Sequence, residues 1–189
     1  MTAASFTIRR KVLVLFGAQF HIYSDQGALL GYCRQKAFKL KEDIRIYTDE
    51  SMQVEKLVIQ ARSIIDWSAS YDVVLADGQE RLGTLQRKGM ASLFRDSWQV
   101  TGPDGEAVGG ILEDTGMLSF VRRISDFGNL IPQKFRLRGS AGGDLASFRT
   151  HFNPFIHRMT VEIDPECDVN PWLVLAAGVL LMAVEGRQN

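Results

Sequence analysis

Apolar and polar residues alternate with period two along most of the chain. Ile44 and Ile46 alternate with Asp43, Arg45 and Tyr47, and Leu57, Ile59 and Ala61 with Lys56, Val58 and Gln60. Phe135 and Leu137 alternate with Lys134, Arg136 and Arg138, and Val161 and Ile163 with Thr160 and Glu162. Period two turns one set of side chains to a core and the other to water, the pattern of a half-buried strand. Turn signals separate the runs: Asp25-Gln26-Gly27, Asp77-Gly78, Pro103-Asp104-Gly105 and Gly139 to Gly143. Asp-Gly between two strand-like runs marks a hairpin. The pattern predicts about twelve strands, at 12–16, 19–24, 28–34, 43–48, 55–61, 71–76, 81–87, 98–102, 107–113, 133–138, 145–152 and 157–163. So many short strands with regular turns imply an antiparallel sandwich or barrel.

An internal repeat sharpens this. Shifting the chain by 27 residues aligns 71–95 on 98–122 without a gap, with nine of twenty-five positions identical, among them Asp77/Asp104, Gly78/Gly105, Gly83/Gly110 and Leu85/Leu112. Each unit reads as strand, Asp-Gly turn, strand, then a Gly and a short apolar helical segment, Met90 to Phe94 or Met117 to Val121. A looser version of the hairpin occurs at Phe20 to Cys33 and at Phe135 to Phe148. Repeated hairpins make a meandering sheet in which each unit covers its neighbour.

Near the C-terminus the period changes. Pro171 to Val184, PWLVLAAGVLLMAV, carries no charge. Asn170 suits the N-cap, Pro171 the first helical position, and Asp168 lies where negative charge suits the helix dipole. A helix apolar on every side is buried in protein or in lipid. Fourteen residues span about 21 Å against a hydrocarbon core of about 30 Å, which favours protein. The surrounding material is strand, and barrels of eleven strands are wide enough to hold a central helix. The fold expected is therefore mainly β: a single domain over 1–189, a closed antiparallel barrel of about twelve strands with 170–187 as its central hydrophobic helix.

Composition narrows function only by exclusion. Lys plus Arg and Asp plus Glu are both 22 in 189 residues, so no overall field points to nucleic acid. The balance hides a segregation: residues 1–41 carry a net +6, 42–80 a net −6, 81–163 a net +3 and 164–189 a net −3. A basic face built from the first segment and parts of the third is one reading; solvated faces with no partner are the other. Cys33 and Cys167 form no paired motif, and no apolar leader precedes a cleavage site, so a cytoplasmic protein with reduced thiols is expected. His151 and His157 bracket Asn153-Pro154 without a third ligand, and GxSxG, HExxH and Walker motifs are missing. No catalytic residue, cofactor or metal is expected.

Several short motifs carry a resemblance. Gln35-Lys36-Ala37-Phe38, Tyr71-Asp72-Val73 through Gly78 and Gly83, Phe152-Asn153-Pro154-Phe155 and the terminal helix ending in Glu185-Gly186-Arg187-Gln188 resemble the LURP-one-related group of the tubby C-terminal-like superfamily, which is related to phospholipid scramblases. The likeness covers roughly residues 8–187 and implies a twelve-stranded barrel around a hydrophobic C-terminal helix. It also implies binding of phosphoinositide headgroups or action at membranes. Calcium dependence is not implied, because Asp164, Glu166 and Asp168 are followed by neither a Gly at the sixth place nor an acid at the twelfth, which is Leu175. The residues themselves offer a candidate ligand-binding face: Lys134, Arg136 and Arg138 on one strand face, Arg122 and Arg123 before it, and Arg87 and Lys88 at the equivalent place in the first repeat. Guanidinium groups would hold phosphate there. The expected function is a non-enzymatic binding module engaging anionic phospholipid or phosphoinositide headgroups peripherally at a membrane surface. The alternative is a soluble scaffold or regulatory protein with a protein-interaction surface only.

Overall fold

The computed structural model describes residues 5–11, 18–35, 43–63, 69–76, 80–88, 97–114, 133–151 and 156–185. Twelve strands form one closed barrel: β1 (Ser5–Lys11), β2 (Ala18–Ser24), β3 (Leu29–Gln35), β4 (Ile44–Tyr47), β5 (Glu55–Ser63), β6 (Ser70–Leu75), β7 (Arg81–Lys88), β8 (Ser97–Thr101), β9 (Ala107–Glu113), β10 (Lys134–Gly139), β11 (Asp144–His151) and β12 (Ile156–Ile163). Each strand runs antiparallel to its neighbours in sequence, and β1 closes the ring on β12, with Phe6 opposite Val161 and Ile8 opposite Met159. The alternation seen in the sequence becomes the two barrel faces. Phe135 and Leu137 are buried while Lys134, Arg136 and Arg138 are exposed, and Ile44, Ile46, Leu57 and Ile59 point to the same core.

One helix, α1 (Pro171–Glu185), fills the interior. Every residue from Leu173 to Ala183 is buried or backbone-enclosed, so no face of the helix meets water. The Trp172 N–H donates to Asn170 Oδ1 at 2.9 Å, the cap expected of Asn170. Gly178 sits where the helix packs closely against the wall. A Cβ there would lie 2.9 Å from Ile8 Cδ1 and 3.1 Å from Val161 Cγ2, on the two strands that close the ring.

Two expectations change, and others fall outside the described residues. The run expected at 12–16 lies outside the described residues, while the first described strand is Ser5–Lys11, which the pattern did not predict. Its inward positions are Phe6, Ile8 and then Arg10, and that cation at the third position hides the alternation. Arg10 is half-buried with its guanidinium 5.9 Å from the Phe20 ring. The helical segments expected at Met90 to Phe94 and Met117 to Val121 also lie outside the described residues, as does the Asp77-Gly78 turn. The repeat gives two hairpins, β6–β7 and β8–β9, but not in the aligned register. Tyr71 pairs with Leu85, whereas Trp98 pairs with Ile111 rather than Leu112. Leu82 is an extra residue in β7 and Val108 one in β9, so the bulge falls one position nearer the turn in the second unit. A one-residue offset exchanges the faces. Leu85 is 1% exposed and its aligned partner Leu112 is 38% exposed.

The aligned glycines Gly83 and Gly110 consequently stand in different places. Gly83 has φ +155°, and a Cβ on it would run into the Thr101 carbonyl and lie 2.8 Å from Leu173 Cδ2 of the helix. A Cβ on Gly110 would meet only the Trp98 carbonyl, at 3.5 Å. Gly83→Ala should therefore destabilise the barrel by about 1–3 kcal/mol and Gly110→Ala by less than about 0.5 kcal/mol. Denaturant unfolding of the two variants checks this, and equal losses would show that the offset register is wrong. At the axis, Leu175→Lys would bury an unpaired charge and should leave the chain insoluble, as assayed by the soluble fraction after expression.

Candidate ligand-binding face

The strands on the two sides of the β1–β12 seam carry cations on their outer faces. Lys134 stands on β10, Arg149 and His151 on β11, Arg158 on β12, and Arg9 and Lys11 on β1. The register brings them together. Arg158 is opposite His151 on one side and Arg9 on the other, and Arg149 is opposite Lys134. Directly paired residues have Cβ atoms about 5 Å apart. Beyond β1, Gln19 of β2 lies between Lys11 and Arg34 of β3, which extends the row. Among the described residues, none of Arg9, Lys11, Arg34, Lys134, Arg149 and Arg158 makes an ion pair with a carboxylate. Arg9 lies over the Tyr23 ring at 4.8 Å.

Other arginines are neutralised in place. Arg136 donates to Asp114 at 2.8 Å and to Asp144 at 3.0 Å, and Arg138 meets Asp144 at 3.2 Å. The hydrogen bonds from Arg136 to Asp114 and Asp144 hold its guanidinium above the ordinary arginine range. Arg45 is bound to Glu55, and Arg62 and Arg81 share Asp72.

The structure thus sorts the residues singled out in the sequence. Lys134 belongs to the unpaired cluster. Arg136 and Arg138 share its strand but spend their charge on two aspartates. Arg87, half-buried on the inward parity of β7, and the exposed Lys88 are separated from β10 by β8 and β9, roughly 14 Å around the wall. Arg122 and Arg123 lie outside the described residues. Sequence reasoning missed Arg9, Arg149, His151 and Arg158 as neighbours. The signal was the net +6 of the first segment, and ring closure is what sets residue 9 beside residue 158.

Charge is also polarised along the barrel axis. The turns joining strands at the end where α1 enters are 25–28, 48–54, 76–80, 102–106 and 140–143, with 164–170 leading into the helix. Their described residues include Asp25, Asp49, Glu50, Glu80, Asp104, Glu106, Asp164, Glu166 and Asp168, and no Lys, Arg or His. Acids at the helix N-terminal end and cations towards its C-terminal end complement the helix dipole. One acid does local work: Glu50 reaches back to accept from His21 Nε2 at 2.7 Å, which holds its carboxyl below the usual range and ties the β4–β5 turn to the outer wall.

Two histidines border the cationic region. His151 Nε2 lies 2.9 Å from Thr160 Oγ1. Partial burial, then the charges of Arg149 and Arg158, push its pKa below the ordinary histidine value, and burial with Arg10 does the same for His157.

A closed twelve-stranded barrel threaded by an apolar C-terminal helix is the fold that the resemblance implied. The sequence profile of the LURP-one-related family matches residues 29–182, and the chain belongs to that family. No curated protein matches the chain in sequence. Among the described residues, no helix is long and apolar enough to cross a membrane.

The lowered histidine values fix a sign for stability. Both rings bind protons less readily in the folded chain than in the unfolded one, where the value is near 6.5. Their contribution is whole above that value and is lost as pH falls through it towards the folded-state values. Calorimetry should show Tm falling between about pH 7.5 and 5.5. The fall should be smaller in His151→Gln/His157→Gln, and an unchanged fall in that variant would contradict the assignment.

Proposed function

We propose that this protein is a non-enzymatic binding module that docks peripherally on anionic phospholipid surfaces through the outer face of β10, β11, β12 and β1. The observation that carries the reading is the set of unneutralised cations astride the β1–β12 seam. Cations kept apart from carboxylates in a chain of zero net charge leave a local positive field for an outside anion to answer. Each Lys or Arg near an anionic membrane contributes about 1 kcal/mol, screened by salt. The acidic turns at the opposite end give the molecule a preferred orientation on such a surface. The peripheral mode is supported by α1: its apolar residues are already spent on the barrel core, so withdrawing the helix into lipid would empty the barrel.

Sedimentation with phosphatidylcholine vesicles, with and without phosphatidylserine, tests the reading at low and high salt. Binding should require the anionic lipid and weaken with salt. Arg149→Gln with Arg158→Gln should lower vesicle affinity about thirtyfold, the worth of two surface cations. Removing the same charge on other walls, Arg45→Gln with Lys88→Gln, should change it less than about threefold. Equal losses in the two double variants would refute this face as the docking site. Absence of binding at low salt would overturn the lipid reading in favour of a scaffold that meets only proteins.

A further inference from the structure

We propose that the turn between β4 and β5, residues 48–54, is a strap that Glu50 pins to His21 at the edge of the cationic face, and that docking on an anionic surface releases it. The proposal rests on the anionic-surface reading above and adds a regulated step to it.

Burial along β2 and β3 points to the strap. Phe20, Ile22 and Cys33 fill the core, so His21 and its register partner Tyr32 face outward. Other outward residues of β3 and β4, Arg34 and Arg45, are exposed. His21 and Tyr32 are only 5% and 4% exposed. Their rings meet edge to face with centroids 5.1 Å apart, and Tyr23 stacks on His21 at 6.2 Å. Glu50 comes from 29 residues along the chain to close over this cluster, its Oε1 2.7 Å from His21 Nε2. Among the described residues, that contact is the one side-chain hydrogen bond joining the turn to the wall.

The turn is also held under strain. Met52 has φ +57°, in the left-handed region that a residue with a side chain keeps only where its surroundings hold it. Its N–H donates to the Asp49 carbonyl at 3.2 Å, and the Ser51 N–H donates to Asp49 Oδ1 at 2.8 Å. Cutting the pin lets this backbone relax.

Register couples the strap to the docking face. His21 is directly opposite Arg9 on β1. Glu50 feels the charge there: its bond to His21 holds the carboxyl below the usual range, with a smaller pull from Lys11. The closed strap therefore parks an acid where an anionic surface approaches β1, with Asp49 next to it in the chain. Such a surface attracts Arg9 and Lys11 and repels both carboxylates. Release carries the acids away and uncovers His21 and Tyr32 beside Tyr23, aromatic groups with polar tips that suit a membrane boundary. The surface binds the open form better than the closed one, so docking and opening favour each other by the same factor.

Sedimentation of the full chain with phosphatidylcholine vesicles containing phosphatidylserine, at low salt, reads the coupling. His21→Phe keeps an aromatic ring and removes no acid, so any change in charge it brings would weaken docking. Without the pin it should instead dock about fivefold more tightly, because the open form is no longer a minor one. Glu50→Ala should tighten docking about threefold more than Glu50→Gln, which loses the same charge but keeps a hydrogen-bonding side chain for His21. Repulsion by charge alone predicts equal gains for these two. Hydrogen exchange at Ser51 and Met52 should quicken when the parent protein docks, whereas mere coverage by the surface would slow it. Circular dichroism confirms the fold of each variant, and if His21→Phe does not fold, the two Glu50 variants decide. Lipid-dependent docking that is no tighter in His21→Phe, or equal in the two Glu50 variants, overturns the strap and leaves the anionic-surface reading intact. Slowed exchange on docking does the same. Absence of docking by the parent protein removes both.

Discussion

The whole structure depends on a helix that has no solvent-facing side. Leu173 to Ala183 are enclosed on every flank, and each large aliphatic side chain so buried contributes about 1.5–3 kcal/mol. A ring of twelve strands needs something inside it, because inward side chains alone fill only narrower barrels. The helix needs walls all round, because any exposed flank would put leucine in water. Neither element is a sensible structure without the other. At Gly178 the lack of a side chain lets Ile8 and Val161 from the two seam strands reach the axis.

That fit also explains where the free charge lies. Inward positions are committed to the core, so a ligand from outside has only the outer wall to recognise. Most outer arginines sit on strands flanked by acids and are neutralised within the barrel, as Arg136 is by Asp114 and Asp144. The seam is different. Its strands are the first and the last of the twelve, one from the basic opening segment and the other carrying Arg158 beside Arg149 and His151 of β11, with Glu162 set towards the far end of β12. Closing the ring therefore juxtaposes cations that no local pairing has neutralised.

The fold was largely legible in sequence because burial follows a local period. Eleven strands and the helix, with its cap at Asn170, are where alternation and composition place them. The first strand was not, since Arg10 occupies an inward position and breaks the apolar rhythm of Phe6 and Ile8. The repeat misled in a subtler way. Identity of Leu85 with Leu112 suggests equivalence, but a displaced bulge turns one inward and the other outward, and a bulge leaves no reliable mark in composition. The candidate face was legible only as a regional surplus of charge. Which arginines remain free depends on pairings between residues tens to well over a hundred positions apart, such as Arg136 with Asp114 and Arg9 with Arg158. Local pattern carries no information about those.

The position of α1 in the chain has a consequence for how the protein comes into being. The element that fills the barrel follows all twelve strands, and the first strand finds its closing partner only in the last. A ribosome delivers the chain from the N-terminus, so each emerging hairpin waits with its apolar face uncovered until the axis has cleared the exit tunnel. Pairing Phe6 with Val161 adds the entropy of closing a very long loop to that delay. Synthesis of this barrel is therefore a race between completion and aggregation, and chaperones that shield nascent strands would have most to do just before the final helix emerges.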